Sequence, residues 1–333
     1  MKKIIWTLLK ILISVGILGY IFTRPDSSPS RLADIISHSN GFYLIASILL
    51  YGVIIFLTFL RWDLLLKAQD IHLSFIDIVR YSLIGLFFSN ILPSVTGGDV
   101  VKAYYVIRKT THTGKVILSI LLDRMLGFFA LIFYGFVGSF LVISKPAFKS
   151  MSTFIIIICI VGLVILAMLY TFRQYWKSLH ILNKIFKKLH LLEKLQRIYN
   201  IFKAFKNKPM SIVGALILSF LVQGIIIFIN YLLAVNFGMS KDLLIMFFVI
   251  IPMASIISAI PISMAGWGIG EGAYRQLFGL LGTGFGSIAV AVSVVVRLFA
   301  LFYGLLGLPF YIALKNYKIS DQDMTKIENS FQG

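Results

Sequence analysis

Long apolar runs separated by short polar connectors dominate the chain. Six runs are long enough to cross a bilayer, which takes about 20 apolar residues in a helix. They cover residues 4–22, 42–60, 116–143, 154–172, 212–235 and 288–314. The pattern predicts an all-α polytopic membrane protein with about six spanning helices.

Two further apolar runs end in residues that break helices. Residues 75–92 run into Pro93, Ser94, Gly97 and Gly98, and residues 243–260 run into Pro261 and a glycine-rich stretch. Proline removes a backbone donor and glycine permits a sharp turn, so the helix should break at both places. A break inside a membrane persists only where protein or water surrounds it. We therefore predict two broken re-entrant segments and treat each as a candidate binding site.

The positions of the basic residues predict the orientation of the chain. Positive clusters flank the run 75–92 on both sides, and both clusters should face the cytoplasm, which favours a re-entrant segment over a crossing. The connector 173–208 carries ten Lys or Arg residues and one acid. It is either an amphipathic helix on an anionic lipid surface or a plain cytoplasmic connector. Both termini are expected in the cytoplasm, and residues 144–150 and 237–242 are expected on the outer side of the cell membrane.

Composition excludes several classes of function. The chain is 59% hydrophobic and 13% charged, far from a soluble enzyme. Its formal charge of +18 would suit nucleic acid in a soluble protein, but the positive-inside tendency of membrane loops explains it, so we expect no nucleic-acid partner. One cysteine excludes a disulfide within the chain, and the five histidines have no metal-ligand spacing. We expect no metal, no cofactor and no catalytic residue.

The order of these segments predicts an inverted repeat. Residues 1–145 and 146–314 each contain two spans, a broken segment and a third span, and the two halves start on opposite faces. Residues 315–333 form a predicted cytoplasmic tail. Arg124 and Arg297 each precede a similar run of Phe, Ala, Leu, Tyr and Gly. Inverted repeats with broken helices are typical of alternating-access carriers.

Ionisable residues at membrane depth are expensive and should face a partner or a substrate. The planar fork of arginine suits phosphate, and glycines let backbone amides approach the same oxygens. In the alternative interpretation, Asp99 or Asp123 only neutralises Arg124. The candidate substrate-binding residues are Asn90, Pro93, Ser94, Gly97, Gly98, Asp99, Lys102, Asp123, Arg124, Pro261, Ser263, Gly266, Gly268, Gly270, Glu271 and Arg297.

Three motifs together resemble a known family. They are Asn90-x-x-Pro93-x-x-x-Gly97-Gly98-Asp99-x-x-Lys102, then Asp123-Arg124-x-x-Gly127, then Pro261 followed by Gly266-x-Gly268-x-Gly270-Glu271. The combination resembles the membrane region of lysylphosphatidylglycerol synthase/flippase proteins over residues 4–314. The family pattern often has arginine at the position of Lys102, a change that keeps the charge but loses the bidentate fork.

The resemblance implies that the membrane region moves an aminoacylated phospholipid between leaflets. In two-part members, a soluble C-terminal domain takes the amino acid from aminoacyl-tRNA. Only 19 residues follow the last predicted span here, so we expect a stand-alone member, with a separate transferase as its possible partner. If the family name held for the activity, the protein would be a phosphatidylglycerol lysyltransferase.

These observations favour a carrier that moves an anionic or aminoacylated phospholipid, or a polyprenyl-phosphate lipid, between leaflets. Two alternatives from other classes stay open. One is a membrane enzyme of lysylphosphatidylglycerol synthesis that uses Asp99 or Glu271 as acid or base. The other is a scaffold for glycolipid assembly. The inverted repeat favours transport, because an enzyme needs no such symmetry.

Overall fold

The computed structural model describes residues 2–92, 97–172, 204–260 and 262–314. This part of the chain contains helices and no strand, so the predicted all-α polytopic membrane fold is confirmed. The predicted amphipathic helix of the basic connector and the predicted tail lie outside the described residues. The helices are α1 Lys2–Phe22, α2 Pro29–Ser37, α3 Gly41–Ala68, α4 Phe75–Ile91, α5 Gly97–Thr110, α6 Thr113–Val142, α7 Pro146–Phe172, α8 Pro209–Asn236, α9 Leu244–Ser258, α10 Ile269–Gly279, α11 Phe285–Leu305 and α12 Gly307–Ala313.

The described part contains five helical stretches that are long and apolar enough to cross a membrane. These stretches are Gly41–Ala68, Thr113–Val142, Pro209–Asn236, Lys241–Ser258 and Phe285–Ala313. Shorter apolar segments are present in α1 and α7, at Leu9–Phe22 and Pro146–Gly162.

Two predicted boundaries were wrong. Helix α3 continues eight residues beyond the predicted end at residue 60, because Leu64, Leu65 and Leu66 extend its apolar pattern past Arg61. Arg61 therefore lies in the buried interior and not in a polar connector. The fourth predicted span begins at residue 154, whereas α7 already begins at Pro146, a residue that suits the first turn of a helix. The outer location of residues 144–150 stays a prediction.

Helices α4 and α5 form an antiparallel hairpin around the first break. The Tyr81 and Tyr105 rings stack with centroids 5.6 Å apart, and Asp77 pairs with Lys109 at 2.5 Å near the open end. Near the tip, Gly98 lies so close to α4 that a Cβ atom there would collide with the Gly85 carbonyl oxygen. The run 75–92 and the helix after it thus begin and end at the same face of the protein, which is the predicted re-entrant arrangement.

Helices α9 and α10 form a second antiparallel hairpin around the second break. The Phe247 and Phe278 rings meet edge to face near its open end, with centroids 5.0 Å apart. At the tip, a Cβ atom on Gly270 would stand 3.1 Å from the Ser258 hydroxyl oxygen. Helix α1 runs alongside, and its Ser14 hydroxyl accepts a hydrogen bond of 2.8 Å from the Met264 amide in the break.

The two hairpins open toward opposite faces of the protein. Asp70, which follows α3, lies 3.9 Å from Lys115 and 3.8 Å from Lys208. This surface contains the open end of the first hairpin and is called the basic face. On the opposite face, Asn40 and Asn236 exchange hydrogen bonds of 2.9 and 3.2 Å between the start of α3 and the end of α8. The second hairpin opens there, because Arg275 of α10 donates 2.9 Å to Ser27, which follows α1.

The packing of the helices repeats with two-fold pseudosymmetry. Helices α3 and α8 occupy corresponding positions in the two halves and pack against each other. The contact of α6 with α9 is matched by the contact of α11 with α4. Each short helix after a break also packs against the long helix that follows it, α5 on α6 and α10 on α11. With hairpins that open to opposite faces, this arrangement is the inverted repeat predicted from the sequence.

We predict that cysteines at the two hairpin openings react from opposite sides of the membrane. In a Cys159→Ser background, His112→Cys and Lys206→Cys lie on the basic face, whereas His38→Cys and Thr283→Cys lie on the opposite face, all at exposed positions. An impermeant thiol reagent applied to sealed vesicles should modify one pair and spare the other until the vesicles are opened. Modification of positions 112 and 283 from the same side would contradict the inverted arrangement.

Candidate functional site

A cavity of about 370 Å³ lies between the first hairpin and helices α3, α6 and α8. Its walls combine apolar residues such as Ile55, Phe59 and Leu131 with an unusual density of charge for a membrane protein interior. The ionisable and polar residues that line it are Thr58, Arg61, Ser82, Ser89, Asp99, Lys102, Asp123, Arg124 and Gln223.

Arg61 of α3 and Asp123 of α6 form a buried, bidentate ion pair. Arg61 Nε and Nη2 donate to the two carboxylate oxygens at 2.6 and 3.0 Å, and Nη1 donates to Ser219 of α8 at 3.0 Å. Arg61 is only 7% exposed. A Cβ atom on Gly127, one turn after Asp123, would lie 3.3 Å from the guanidinium. The motif Asp123-x-x-x-Gly127 therefore builds a slot for Arg61, which locks three helices together.

Arg124 and Asp99 connect α6 to the tip of the first hairpin. Asp99 is the third residue of α5, where a carboxylate is favoured by the unpaired amides of a helix N-terminus. Its side chain forms an ion pair with Arg124 Nε. Unlike Arg61, the Arg124 side chain is 41% exposed. The consecutive residues Asp123 and Arg124 thus point to different partners, and the cavity lies between them.

Lys102 contributes a third cation to the cavity. It lies one turn beyond Asp99 on α5, and its residue is 7% exposed. The Nζ atom stands 3.7 Å from the centre of the Trp62 ring, above a fully buried indole. Among the described residues, no hydrogen-bond acceptor or carboxylate pairs with this ammonium, so its principal contact is a cation–π interaction.

Neutral polar groups complete the lining. The Gln223 amide donates 3.2 Å to the Gly127 carbonyl oxygen, and the Thr58 hydroxyl donates 2.8 Å to Ile54 within its own helix. The Ser82 hydroxyl is buried and has no hydrogen-bond partner in the described part of the chain. A buried hydroxyl without a partner is costly, which marks Ser82 as a group that a bound ligand can satisfy.

The second break is built around Arg297 of α11. Its Nη1 and Nη2 donate to the carbonyl oxygens of Ala265 and Gly266 at 3.2 and 2.6 Å. Its Nε forms an ion pair with Glu271, and the guanidinium stacks 4.6 Å above the centre of the Trp267 ring. Arg297 thus binds two backbone carbonyls that the break has left without helical partners, and it acts as a clamp.

Glu271 anchors the other end of the same clamp. It is fully buried, and one carboxylate oxygen accepts 2.6 Å from the Gly268 amide, which caps the start of α10. Gly266 and Gly268 have φ angles of +76° and +83°, which a side chain would strain. Like Asp99 in the first hairpin, Glu271 is the third residue of its short helix and pairs with an arginine on the next long helix. The two halves therefore share one ion-pair design.

Nine of the predicted site residues fall into two groups in the structure. Asp99, Lys102, Asp123 and Arg124 line the cavity together, whereas Gly266, Gly268, Gly270, Glu271 and Arg297 form the clamp at the second break. Three predicted residues at the tip of the first hairpin make packing contacts and belong to neither group. Asn90 donates 3.0 Å to Ala300, Gly97 packs on Leu92, and Gly98 packs on α4. Ser263 is buried with its hydroxyl unpartnered among the described residues. Pro93, Ser94 and Pro261 lie outside the described residues.

Sequence reasoning missed Arg61 and Trp62. The alternative interpretation gives Asp99 or Asp123 as the residue that neutralises Arg124. Asp99 does so, whereas the partner of Asp123 is Arg61, 62 positions earlier on α3. A usable signal was present, because the apolar residues after Arg61 show that α3 continues and places the arginine inside. The contact between Trp62 and Lys102 had no sequence signal, since it depends on how the hairpin packs against α3.

Comparison with known families matches residues 7–307 to the family described as lysylphosphatidylglycerol synthase TM region. The chain belongs to this family. The match covers both hairpins and the cavity, and it confirms the resemblance seen in the motifs. Members of this family are membrane proteins, in agreement with the apolar helices described above.

Similar proteins occur in archaea. A UPF0104 membrane protein of Methanothermobacter thermautotrophicus is 22% identical over 94% of this chain and 98% of its own length. One from Pyrococcus horikoshii is 27% identical over 35% of this chain and 36% of its own length. One from Methanocaldococcus jannaschii is 25% identical over 40% of each. No solved structure matches the chain.

We predict that the pair of Arg61 and Asp123 stabilises the fold only when both charges are present. Arg61→Leu leaves a carboxylate buried without a partner, which should cost about 3–5 kcal/mol of unfolding free energy. The double variant Arg61→Leu with Asp123→Leu removes both charges and should be clearly more stable than the single variant. Thermal unfolding in detergent measures both. A double variant as unstable as the sum of its single variants would contradict the pairing.

We predict that Arg297→Lys destabilises the second break. One ammonium cannot reach Glu271, two backbone carbonyls and the Trp267 ring at once, so roughly 1–3 kcal/mol should be lost as buried acceptors go unsatisfied. Arg31→Lys on exposed α2 is the matched control, and it should change the melting temperature little. A melting temperature of Arg297→Lys equal to that of the control would show that the clamp is not needed.

Proposed function

We propose that the protein is a flippase-like lipid carrier that moves a lipid with a phosphate-containing head group between the leaflets of the cell membrane. The observation that supports it most is the charged cavity at the first hairpin. Three cations and two carboxylates surround a space of about 370 Å³ beside a break in a re-entrant segment. Membrane carriers commonly place their substrate sites at such breaks.

The cavity has the donors that a phosphate requires. The Arg124 guanidinium is partly exposed and borders the cavity, where it pairs with Asp99. A guanidinium has five N–H donors in a planar fork, a geometry that suits a phosphate group. Lys102 adds a second positive charge, and Ser82 adds a hydroxyl that has no partner among the described residues. Phe128 lines the same cavity and is exposed, so an acyl or prenyl chain can extend along an apolar wall while the head group is inside.

The inverted repeat supplies a physical basis for transport. Two related halves that open to opposite faces can exchange conformations, so that one site becomes accessible from each side in turn. In this proposal, the first hairpin carries the charged site and the second hairpin, fixed by its clamp, serves as the rigid counterpart. By the positive-inside tendency, the basic face is the cytoplasmic one.

The proposal makes the protein a carrier and not a synthase. Any transfer of an amino acid to the lipid would then be done by a separate protein. The family description joins the membrane region to lysylphosphatidylglycerol synthesis and is compatible with such a division of labour. In the described part of the chain, no group of three His, Cys, Asp or Glu residues is placed to hold a metal ion.

We predict that Arg124→Lys slows lipid movement. The substitution keeps the charge but removes the fork, so translocation should fall by about tenfold, the equivalent of one lost charge-assisted hydrogen bond. The assay follows fluorescent lipids in proteoliposomes with an impermeant quencher, at equal protein content. Arg31→Lys, on the opposite face, should transport at the unmodified rate. Transport by Arg124→Lys at the rate of the control would remove Arg124 from the site, and failure of the unmodified protein to move any phosphate-bearing lipid would reject the carrier itself.

A further inference from the structure

We propose that the cavity selects lipids whose head group carries a net negative charge over aminoacylated, positively charged ones, and that Lys102 makes this selection. The proposal rests on the proposed function, because it names the class of lipid that the same cavity accepts. Such a preference would mean that the favoured lipid is not lysylphosphatidylglycerol, the lipid that the family description names.

The charges in the cavity do not cancel. Asp123 is engaged by both donors of Arg61, and Asp99 is engaged by Arg124. Each carboxylate thus already has an arginine. The ammonium of Lys102 remains as a third cation against two carboxylates, which leaves the described cavity with one excess positive charge.

Lys102 is held where this excess is hard to dissipate. Its residue is 7% exposed and its Nζ faces the Trp62 ring at 3.7 Å. The negative face of the indole attracts a cation but supplies no counter-charge. Asp99 and Asp123 lie in the same cavity but are paired with arginines, so Lys102 has no carboxylate of its own. Burying such a charge is unfavourable, and an anion that enters the cavity offsets that cost.

Head groups differ in how they change this balance. A phosphodiester such as phosphatidylglycerol brings one negative charge and makes the cavity neutral. A polyprenyl phosphate brings at least as much negative charge. A lysylated phosphatidylglycerol brings the same phosphate with two additional amines, so the assembly becomes more positive than the empty cavity. Like charges at close range in a medium of low polarity repel strongly.

The acceptors in the lining do not offset that repulsion. An ammonium needs several acceptors once it leaves water. The carboxylates in the cavity are already paired with arginines, which leaves neutral groups such as the Gln223 carboxamide oxygen. The unpartnered Ser82 hydroxyl can donate to an anionic oxygen or accept from an ammonium, so it does not discriminate between the two classes. The preference therefore comes from charge.

Lipid binding by the purified full-length protein in detergent tests the proposal. A fluorescent phosphatidylglycerol serves as the probe, and unlabelled phosphatidylglycerol, lysylphosphatidylglycerol and a short polyprenyl phosphate compete for it. We expect phosphatidylglycerol to displace the probe at a concentration at least about tenfold lower than lysylphosphatidylglycerol, since a tenfold ratio needs only a modest difference in free energy. A polyprenyl phosphate that competes better than phosphatidylglycerol would assign the site to carrier lipids, and the reverse order would assign it to glycerophospholipids. Both lipids are anionic, so this order identifies the lipid class, and the ratio to lysylphosphatidylglycerol tests the selection by charge.

Variants of Lys102 identify the selecting residue. Lys102→Met keeps an unbranched side chain against Trp62 without the charge, and it should lose both probe affinity and the preference by about tenfold. Lys102→Arg keeps the charge and should retain the preference. Lys109→Met is the matched control, because it removes one positive charge from the same helix at its ion pair with Asp77, outside the cavity. Thermal unfolding of each variant verifies that it is folded.

Two results would overturn the proposal. One is equal competition by phosphatidylglycerol and lysylphosphatidylglycerol with the unmodified protein. The other is an unchanged preference in a folded Lys102→Met variant. Binding is measured without any transport step, so its outcome is separate from that of the carrier. A protein that shows the preference but moves no lipid in proteoliposomes would reject the carrier and leave the selection standing.

Discussion

A helix that breaks inside a membrane must find partners for the backbone groups that the break releases, and much of this structure follows from that requirement. At the second break, Arg297 donates to two released carbonyls, Glu271 accepts from a released amide, and Trp267 covers the guanidinium. These contacts require α11 to lie beside the tip of the hairpin. The first break has the same ion pair in Asp99 and Arg124, which places α6 beside its own tip. The long helix after each hairpin is therefore positioned by the chemistry of the break.

The two halves contain corresponding ion pairs, Asp99–Arg124 and Glu271–Arg297, in different surroundings. The Arg297 side chain is 19% exposed and its contacts are directed to its own loop, whereas Arg124 is 41% exposed and borders a cavity. The difference arises from neighbours outside the repeat motif. In the first half, Arg61 on α3 and Lys102 on α5 also line the cavity. In the second half, α8 (Pro209–Asn236) has no basic residue, and α10 has Tyr274 three residues after Glu271, where α5 has Lys102 three residues after Asp99. A repeat can keep its architecture while one copy becomes structural, because the ion pair fixes the geometry and the surrounding residues set the charge.

The sequence predicted the elements of the fold better than their partners. Apolar runs, prolines and glycines are local signals, so the spans and both breaks could be placed without a structure. The similar runs of residues after Arg124 and Arg297 also predicted that the two halves correspond. The partner of Asp123 could not be predicted, because Arg61 reaches it only after α3 and α6 pack together around Gly127. The cation–π contact of Lys102 with Trp62 likewise exists only in the packed hairpin. Charge in a membrane interior signals function, but its balance depends on tertiary pairing.

In the proposed carrier, that balance determines which head groups the cavity accepts. The pairs Arg61–Asp123 and Asp99–Arg124 are needed to hold α3, α5, α6 and α8 together, so neither can be changed freely to suit a new head group. Lys102 forms no ion pair in the described part of the chain, and the alkyl part of its side chain can pack on Trp62 when the charge is changed. One position on the short helix can therefore alter the net charge of the cavity while the scaffold stays intact. In the proposed carrier, specificity for the head group then depends on Lys102, which forms no ion pair among the described residues, and stability depends on the paired residues.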